Sequence, residues 1–252
     1  MAKGARLKWV RPKHGHLRAL LAVGALFSCL ALADSDALPH SATATVRPTS
    51  PAGAARVGAL FDGGLDGHHF CTASVVHSKG HDLIVTAGHC LSDGKGVTFA
   101  PGYHDGKAPH GLWKIDRVYS DEHWSHDEDE DHDLAFAVLE PLHGRRIEDV
   151  TGANILDTAA GTDHRVTVTG YPSDEQTPRT CTSTANRFRA GQQRIGCPGF
   201  SSGTSGSPWV TADGHLIGVL GGYHGGGDTP DVSYSVIFDV EAAALYAKAV
   251  HS

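Results

Sequence analysis

The chain has 252 residues, 40% of them hydrophobic, with 21 Lys and Arg against 28 Asp and Glu. That length allows one large domain or two small ones. The formal net charge is −7, and it becomes more negative once the basic N-terminal segment is set aside, which argues against nucleic acid and anionic membrane surfaces as partners, since both demand a basic face.

The first element is a leader. Lys3, Arg6, Lys8, Arg11, Lys13 and Arg18 form a positive region, residues 19–32 are almost all apolar, and Ala31-Leu32-Ala33 offers small residues for cleavage. Residues 1–33 therefore read as a secretory signal peptide, which predicts a secreted, extracellular protein. A membrane anchor is disfavoured because the apolar run is shorter than the ~20 residues a spanning helix needs. Lipidation at Cys29 is disfavoured by the bulk of Phe27. Without the leader, 15 basic residues face 28 acidic ones, a net of −13. Residues 34–56 are rich in Ala, Ser and Thr and contain Pro39, Pro48 and Pro51, so they read as a linker or pro-segment. The folded domain is expected over 57–252, divided into 57–150 and 151–252.

Beyond Val57 the chain runs in short apolar, β-branched segments punctuated by Gly, Asp and Pro. The clearest are 81–86, 134–139, 165–169, 216–220 and 232–238. With 31 glycines available for turns, this spacing predicts an all-β barrel or sandwich. Residues 140–161 carry weaker strand signals and could link two halves. Residues 239–250 alone look helical, with Asp239 as cap and Val240, Ala243, Ala244, Ala247 and Val250 on one apolar face. Of five cysteines, Cys29 leaves with the leader. Cys71, Cys90, Cys181 and Cys197 remain, an even number suited to an oxidising compartment. Four cysteines allow three pairings, and the sequence-adjacent one, Cys71–Cys90 with Cys181–Cys197, is favoured. The absence of any Cys-x-x-Cys spacing argues against thiolate-bound zinc.

Three segments carry chemistry. Serine-dependent amide hydrolysis needs a hydroxyl, a base to take its proton, an acid to orient the base, and backbone donors for the oxyanion. Thr86-Ala87-Gly88-His89-Cys90 follows a β-branched run with small residues, a histidine and a cysteine. Asp133-Leu134-Ala135 places a carboxylate at the mouth of an apolar strand. Gly203-Thr204-Ser205-Gly206-Ser207-Pro208 surrounds a serine with residues that permit a sharp turn.

Together these segments resemble the motifs of the trypsin/chymotrypsin-like serine protease family. The His, Asp, Ser order matches, and the likeness runs from about Val57 to Val250. Gly88 stands where the family has a second Ala. Thr204 replaces the Asp that pairs with a freed N-terminus in trypsin-like enzymes. Val168-Thr169-Gly170-Tyr171-Pro172 is similar to a segment of the bacterial glutamyl-endopeptidase-like group. The resemblance implies two six-stranded antiparallel β-barrels followed by a C-terminal α-helix. It also implies a secreted serine endopeptidase with His89 as general base, Asp133 orienting it, Ser205 as nucleophile, and Gly203 and Ser205 as oxyanion donors. By the family's pattern the Cys71–Cys90 bond pins the His89 loop. Substrate side chains would be met by Gly199 and Phe200 before the serine, and by Leu220, Gly221, Gly222 and Tyr223 after it. With Gly199 and Leu220 in those positions, no strict preference for Arg, Lys or Glu is expected. No cofactor or metal is implied. Protein or peptide substrates are the expected partners, with no nucleic acid, no stable membrane association and a monomeric state.

Other classes remain to be weighed. A catalytically dead relative could serve as a binding module. A carboxylic esterase is disfavoured, because residues 203–207 lack the final Gly of a Gly-x-Ser-x-Gly elbow. The run from Asp127 to Asp133 could gather a cation through carboxylate oxygens, but it reads better as a solvated acidic loop. His123, His126 and His132 lack His-Glu-x-x-His spacing for zinc.

Overall fold

A computed structural model describes residues 45–47 and 55–251, so the expected leader, its expected cleavage site and Cys29 lie outside the described residues. Strand β1 (Thr45–Arg47) pairs with a later strand of the second half, so the segment read as linker contributes an edge strand.

The first half is one closed barrel. Its strands are β2 (Val57–Asp62), β3 (His69–Val75), β4 (Leu83–Thr86), β5 (Val97–Pro101), β6 (Trp113–Ser120) and β7 (Ala135–Leu139). They close in the order β2-β3-β4-β7-β6-β5. Strand alternation sorts the side chains. Ala135, Ala137 and Leu139 pack inside with Leu60, Val75, Ile84 and Phe99. Phe136 and Val138 point the other way and meet the C-terminal helix. A short helix, α1 (Glu122–Asp127), lies between β6 and β7, where Asp121 caps it by accepting from His123 N. Helix α2 (Ile147–Thr151) then closes one end of the barrel by burying Ile147. The weak segment 140–161 is thus a crossover, carrying α2 and the two-residue β8 (Ile155–Leu156).

The second half departs from the expected closed barrel. Its further strands are β9 (Arg165–Gly170), β10 (Arg179–Thr184), β11 (Asn186–Arg189), β12 (Gln192–Gly196), β13 (Pro208–Thr211), β14 (His215–Val219) and β15 (Val232–Val236). They form a six-stranded sheet, β1-β10-β9-β13-β14-β8, and a separate three-stranded sheet, β11-β12-β15. The ladder between β14 and β15 is replaced by side chains. Ser235 Oγ accepts from Val219 N at 3.0 Å, and Gln193 Nε2 donates to Ile217 O at 2.9 Å. Backbone pairing resumes only where Gly221 N donates to Tyr234 O. Cys181 on β10 bonds to Cys197 just after β12, tying the two sheets together.

Helix α3 (Val240–Val250) ends the described chain. Asp239 caps it by accepting from Glu241 N and Ala242 N. The buried face is Ala242, Leu245 and Ala249, not the face expected from the small residues, and Val240 is 81% exposed. This rotation brings the helix's large side chains to the cluster of Phe136 and Val138: Leu245 is buried in it, and the Tyr246 ring meets Phe136 edge-on at 5.7 Å. Among the described residues no helix is long and apolar enough to cross a membrane.

Candidate active site

His89 sits in a single 3₁₀ turn, Gly88–Cys90, directly after β4. The Cys71–Cys90 disulfide anchors that turn to β3. Asp133 ends another 3₁₀ turn, Glu130–His132, just before β7. The two meet closely. His89 Nδ1 lies 2.8 Å from Asp133 Oδ2, and His89 N donates to Oδ1 at 2.8 Å. Gly222 N donates to Oδ2 at 2.7 Å. Asp133 is 0% exposed, and a buried carboxylate is tolerable only when its lone pairs are met by donors, as here. With Nδ1 donating to the carboxylate, Nε2 is the ring nitrogen left to accept a proton. The His89 side chain is one-quarter exposed, so the ring reaches the surface.

Trp124 of α1 covers one side of this histidine, with ring centroids 6.2 Å apart. A Cβ placed on Gly88 would stand 2.7 Å from Trp124 Cδ1. The Gly in place of Ala at this position is therefore matched to Trp124, whose part the sequence did not reveal.

Ser205 lies in the turn between β12 and β13. Thr72 of β3 holds that turn. Thr72 N donates to Ser205 O at 2.7 Å, and Thr72 Oγ1 donates to Gly203 O at 3.0 Å while accepting from Tyr171 N at 2.9 Å. Thr86, three residues before His89, donates through Oγ1 to Thr72 O. Gly206, with φ +83°, packs so tightly on Thr72 O and Thr86 Oγ1 that a Cβ has no room. On the other flank Gly206 N donates to Leu220 O and Leu220 N to Ser207 O. Two residues further, Gly222 N grips Asp133. A short frame of hydrogen bonds thus connects the turns that carry His89, Asp133 and Ser205. Ser205 is half-buried, and its Oγ makes no hydrogen bond to another described group. Among the described residues, neither Gly203 N–H nor Ser205 N–H has an acceptor. Gly203 adopts φ +92°, and a Cβ there would meet Ser173 N at 2.5 Å, so glycine is required.

Beside Ser205 opens a cleft of about 380 Å³. Of the six residues expected to meet a substrate side chain, Phe200 and Leu220 line it. The others are placed elsewhere. Gly199 packs on Arg179, Gly221 lies against Ala87 and Asp133, and Gly222 lies against Asp133 and Gln192. Tyr223 stacks on His224 and packs with Phe188 and Tyr234. The loop from His224 to Pro230 forms the far wall, a role that no motif in the sequence signals. His224 Nδ1 pairs there with Asp228 Oδ1 at 2.6 Å. Both cysteine pairs are joined as expected from adjacency. Among the described residues the one metal-like cluster is Cys71, His89 and Cys90, and its sulfurs are already joined to each other.

Comparison with known proteins identifies the family and the fold. Residues 71–219 match the family described as "Trypsin-like peptidase domain". Among solved structures, the protease Anisep from Arthrobacter nicotinovorans is 26% identical with a TM-score of 0.72, over 82% of this chain and all of that one. The thermostable serine protease AL20 from an extremophilic microorganism is 28% identical with a TM-score of 0.70, over 80% of this chain and all of that one. A Glu endopeptidase shares the fold at 16% identity and a TM-score of 0.67, over 85% of this chain and 99% of that one. A search of curated proteins finds no sequence match.

Proposed function

The chain belongs to the trypsin-like peptidase family, and we propose that it is a secreted serine endopeptidase acting through His89, Asp133 and Ser205. The observation that carries this reading is the buried Asp133 carboxylate bonded to His89 Nδ1, in one frame with a serine turn whose Gly203 and Ser205 N–H groups are unpaired.

His89 Nε2 takes the Ser205 proton as Oγ attacks the substrate carbonyl, and Asp133 stabilises the imidazolium. The negative oxygen of the tetrahedral intermediate is met by the N–H groups of Gly203 and Ser205. Its collapse expels the amine, which receives the proton from His89, and leaves an acyl-enzyme on Ser205. Water, deprotonated by His89, then hydrolyses the ester. The apolar walls Phe200 and Leu220 receive the side chain beside the cut bond. The polar side chains His224 and Asp228 in the cleft wall are hydrogen-bonded to each other, so no strict preference for Arg, Lys or Glu is expected. The leader-like residues 1–33 and the two disulfides support export to an oxidising compartment, with the protease domain over 57–252.

A phosphonate probe for active serines tests the reading. Wild-type protein should become labelled on Ser205, and Ser205→Ala should not. Folded wild-type protein that resists labelling and leaves a mixed peptide library uncut would instead favour the catalytically inactive binding module.

A further inference from the structure

The acidic run that ends at Asp133 is more than a solvated loop. Three consecutive backbone N–H groups of the 222–224 segment are held by this run or by a side chain bonded to it. Gly222 N donates to Asp133 Oδ2. Tyr223 N donates to Gln192 Oε1 at 2.9 Å, and Gln192 Nε2 in turn donates to Glu130 O and Asp131 Oδ1, both at 2.8 Å. His224 N donates directly to Glu130 Oε1 at 2.7 Å. The other Glu130 oxygen is 3.1 Å from Arg189, which also reaches Asp131 and lies over the Tyr223 ring.

The segment from His224 to Gly227 needs such fixing. His224 is a non-glycine residue at φ +49°, and Gly225, Gly226 and Gly227 all have positive φ. Three successive glycines leave a loop many alternative shapes, yet this stretch forms a wall of the cleft beside Ser205. We propose that Glu130 is a positioning residue for substrate binding: its carboxylate, braced by Arg189, holds the His224 N–H and so sets the shape of the glycine-rich cleft wall. The inference rests on reading that cleft as the substrate's. It gives the acidic run a task in specificity, carried from the first barrel to the second half.

The test compares Glu130→Ala, Glu130→Gln and Arg189→Ala with wild type, using Asp127→Asn as a control for lost negative charge. Two readouts separate the proposal from its premise. Amide hydrogen exchange over 222–227 needs no activity, and it should quicken in Glu130→Ala while staying unchanged in Asp127→Asn. Peptide cleavage should lose about tenfold in kcat/KM in Glu130→Ala, mostly through KM, the pattern of lost binding rather than lost chemistry. Inactivation by a small sulfonyl fluoride, which does not fill the cleft, should change by less than about twofold. Glu130→Gln keeps an oxygen acceptor and should recover to within about threefold of wild type, with Arg189→Ala between the two. Unchanged exchange in Glu130→Ala, or equal losses in KM-limited cleavage and sulfonyl fluoride reaction, would overturn the proposal. If wild type reacts with neither peptide nor sulfonyl fluoride but exchange still responds to Glu130, the strut stands and the protease reading falls.

Discussion

Replacing Asp133 by Asn is the most informative single change. The carboxylate accepts one N–H at Oδ1, from His89, and two at Oδ2, from His89 Nδ1 and Gly222. An Asn side chain has one acceptor end and one donor end. With its oxygen on the Oδ2 side, the NH₂ faces the His89 backbone N–H. With its oxygen on the Oδ1 side, the NH₂ faces Gly222 N–H and forces the imidazole into the other tautomer. Each orientation leaves one rigid backbone donor opposed, a cost of about 1–3 kcal/mol in stability for a fully buried site. Either way the negative charge that stabilises the imidazolium is gone. The analogous change in a serine protease lowers turnover about 10⁴-fold, equivalent to about 5.5 kcal/mol of barrier. Turnover of one peptide substrate at neutral pH should therefore fall by about three to four orders of magnitude. Circular dichroism should still report a folded protein. Asp129 caps the 130–132 turn through Asp131 N and touches neither His89 nor Ser205, so Asp129→Asn should change turnover by less than about tenfold. If Asp131→Asn kills activity and Asp133→Asn does not, the acid has been misassigned and the mechanism with it.

Two further outcomes are expected from the packing. Gly88→Ala should destabilise the fold by about 1–3 kcal/mol through its clash with Trp124, and the loss should largely vanish in a Trp124→Ala background, as a double-mutant cycle in urea would measure. Additive losses would disprove the coupling. His69 is 3% exposed among Phe61, Tyr103 and Tyr171, with Nε2 on Glu175 O and Nδ1 unpaired. Burial holds its pKa below the usual 6.5. The unfolded chain then takes up the proton first, so stability is full above the unfolded value and is lost as pH falls through about 6.5 toward the folded one. Urea unfolding of the Ser205→Ala protein between about pH 7.5 and 5 should show this slope, and His69→Phe should flatten it. An unchanged slope in His69→Phe would assign the effect to other groups.

The parts legible in the sequence are those encoded by neighbouring residues. Thr86 to Cys90, Asp133 to Ala135 and Gly203 to Pro208 each carry their meaning within six positions. The four remaining cysteines join their nearest partners, and Asp239 caps the helix as its side chain predicts. The features that escape detection depend on distant segments meeting. Nothing near Ser235 or Gln193 announces that their side chains stand in for a strand ladder along β14. Trp124 looks like any half-exposed aromatic until Gly88 arrives beneath it. The alternation of Asp127, Asp129, Asp131 and Asp133 suggests equivalence, yet Asp131 turns to Arg189 and Gln192 while Asp133 turns inward to His89. The buried helix face differs from the expected one because counting small residues ignores the large ones, Leu245 and Tyr246, which pack with the Phe136 cluster.

Thr72 belongs to the portion of the chain made early, but two of its partners, Gly203 and Ser205, emerge some 130 residues later. Gly222 reaches Asp133 across 89 residues. Contacts of such long sequence separation close late, because their loop entropy must be met before they reward the chain. A nascent or refolding molecule therefore has its histidine turn shaped before its serine turn is braced. Under the proposed mechanism, a chain whose second half has not yet folded would hold its histidine and acid without a braced nucleophile, and so would not cut its unfolded copies.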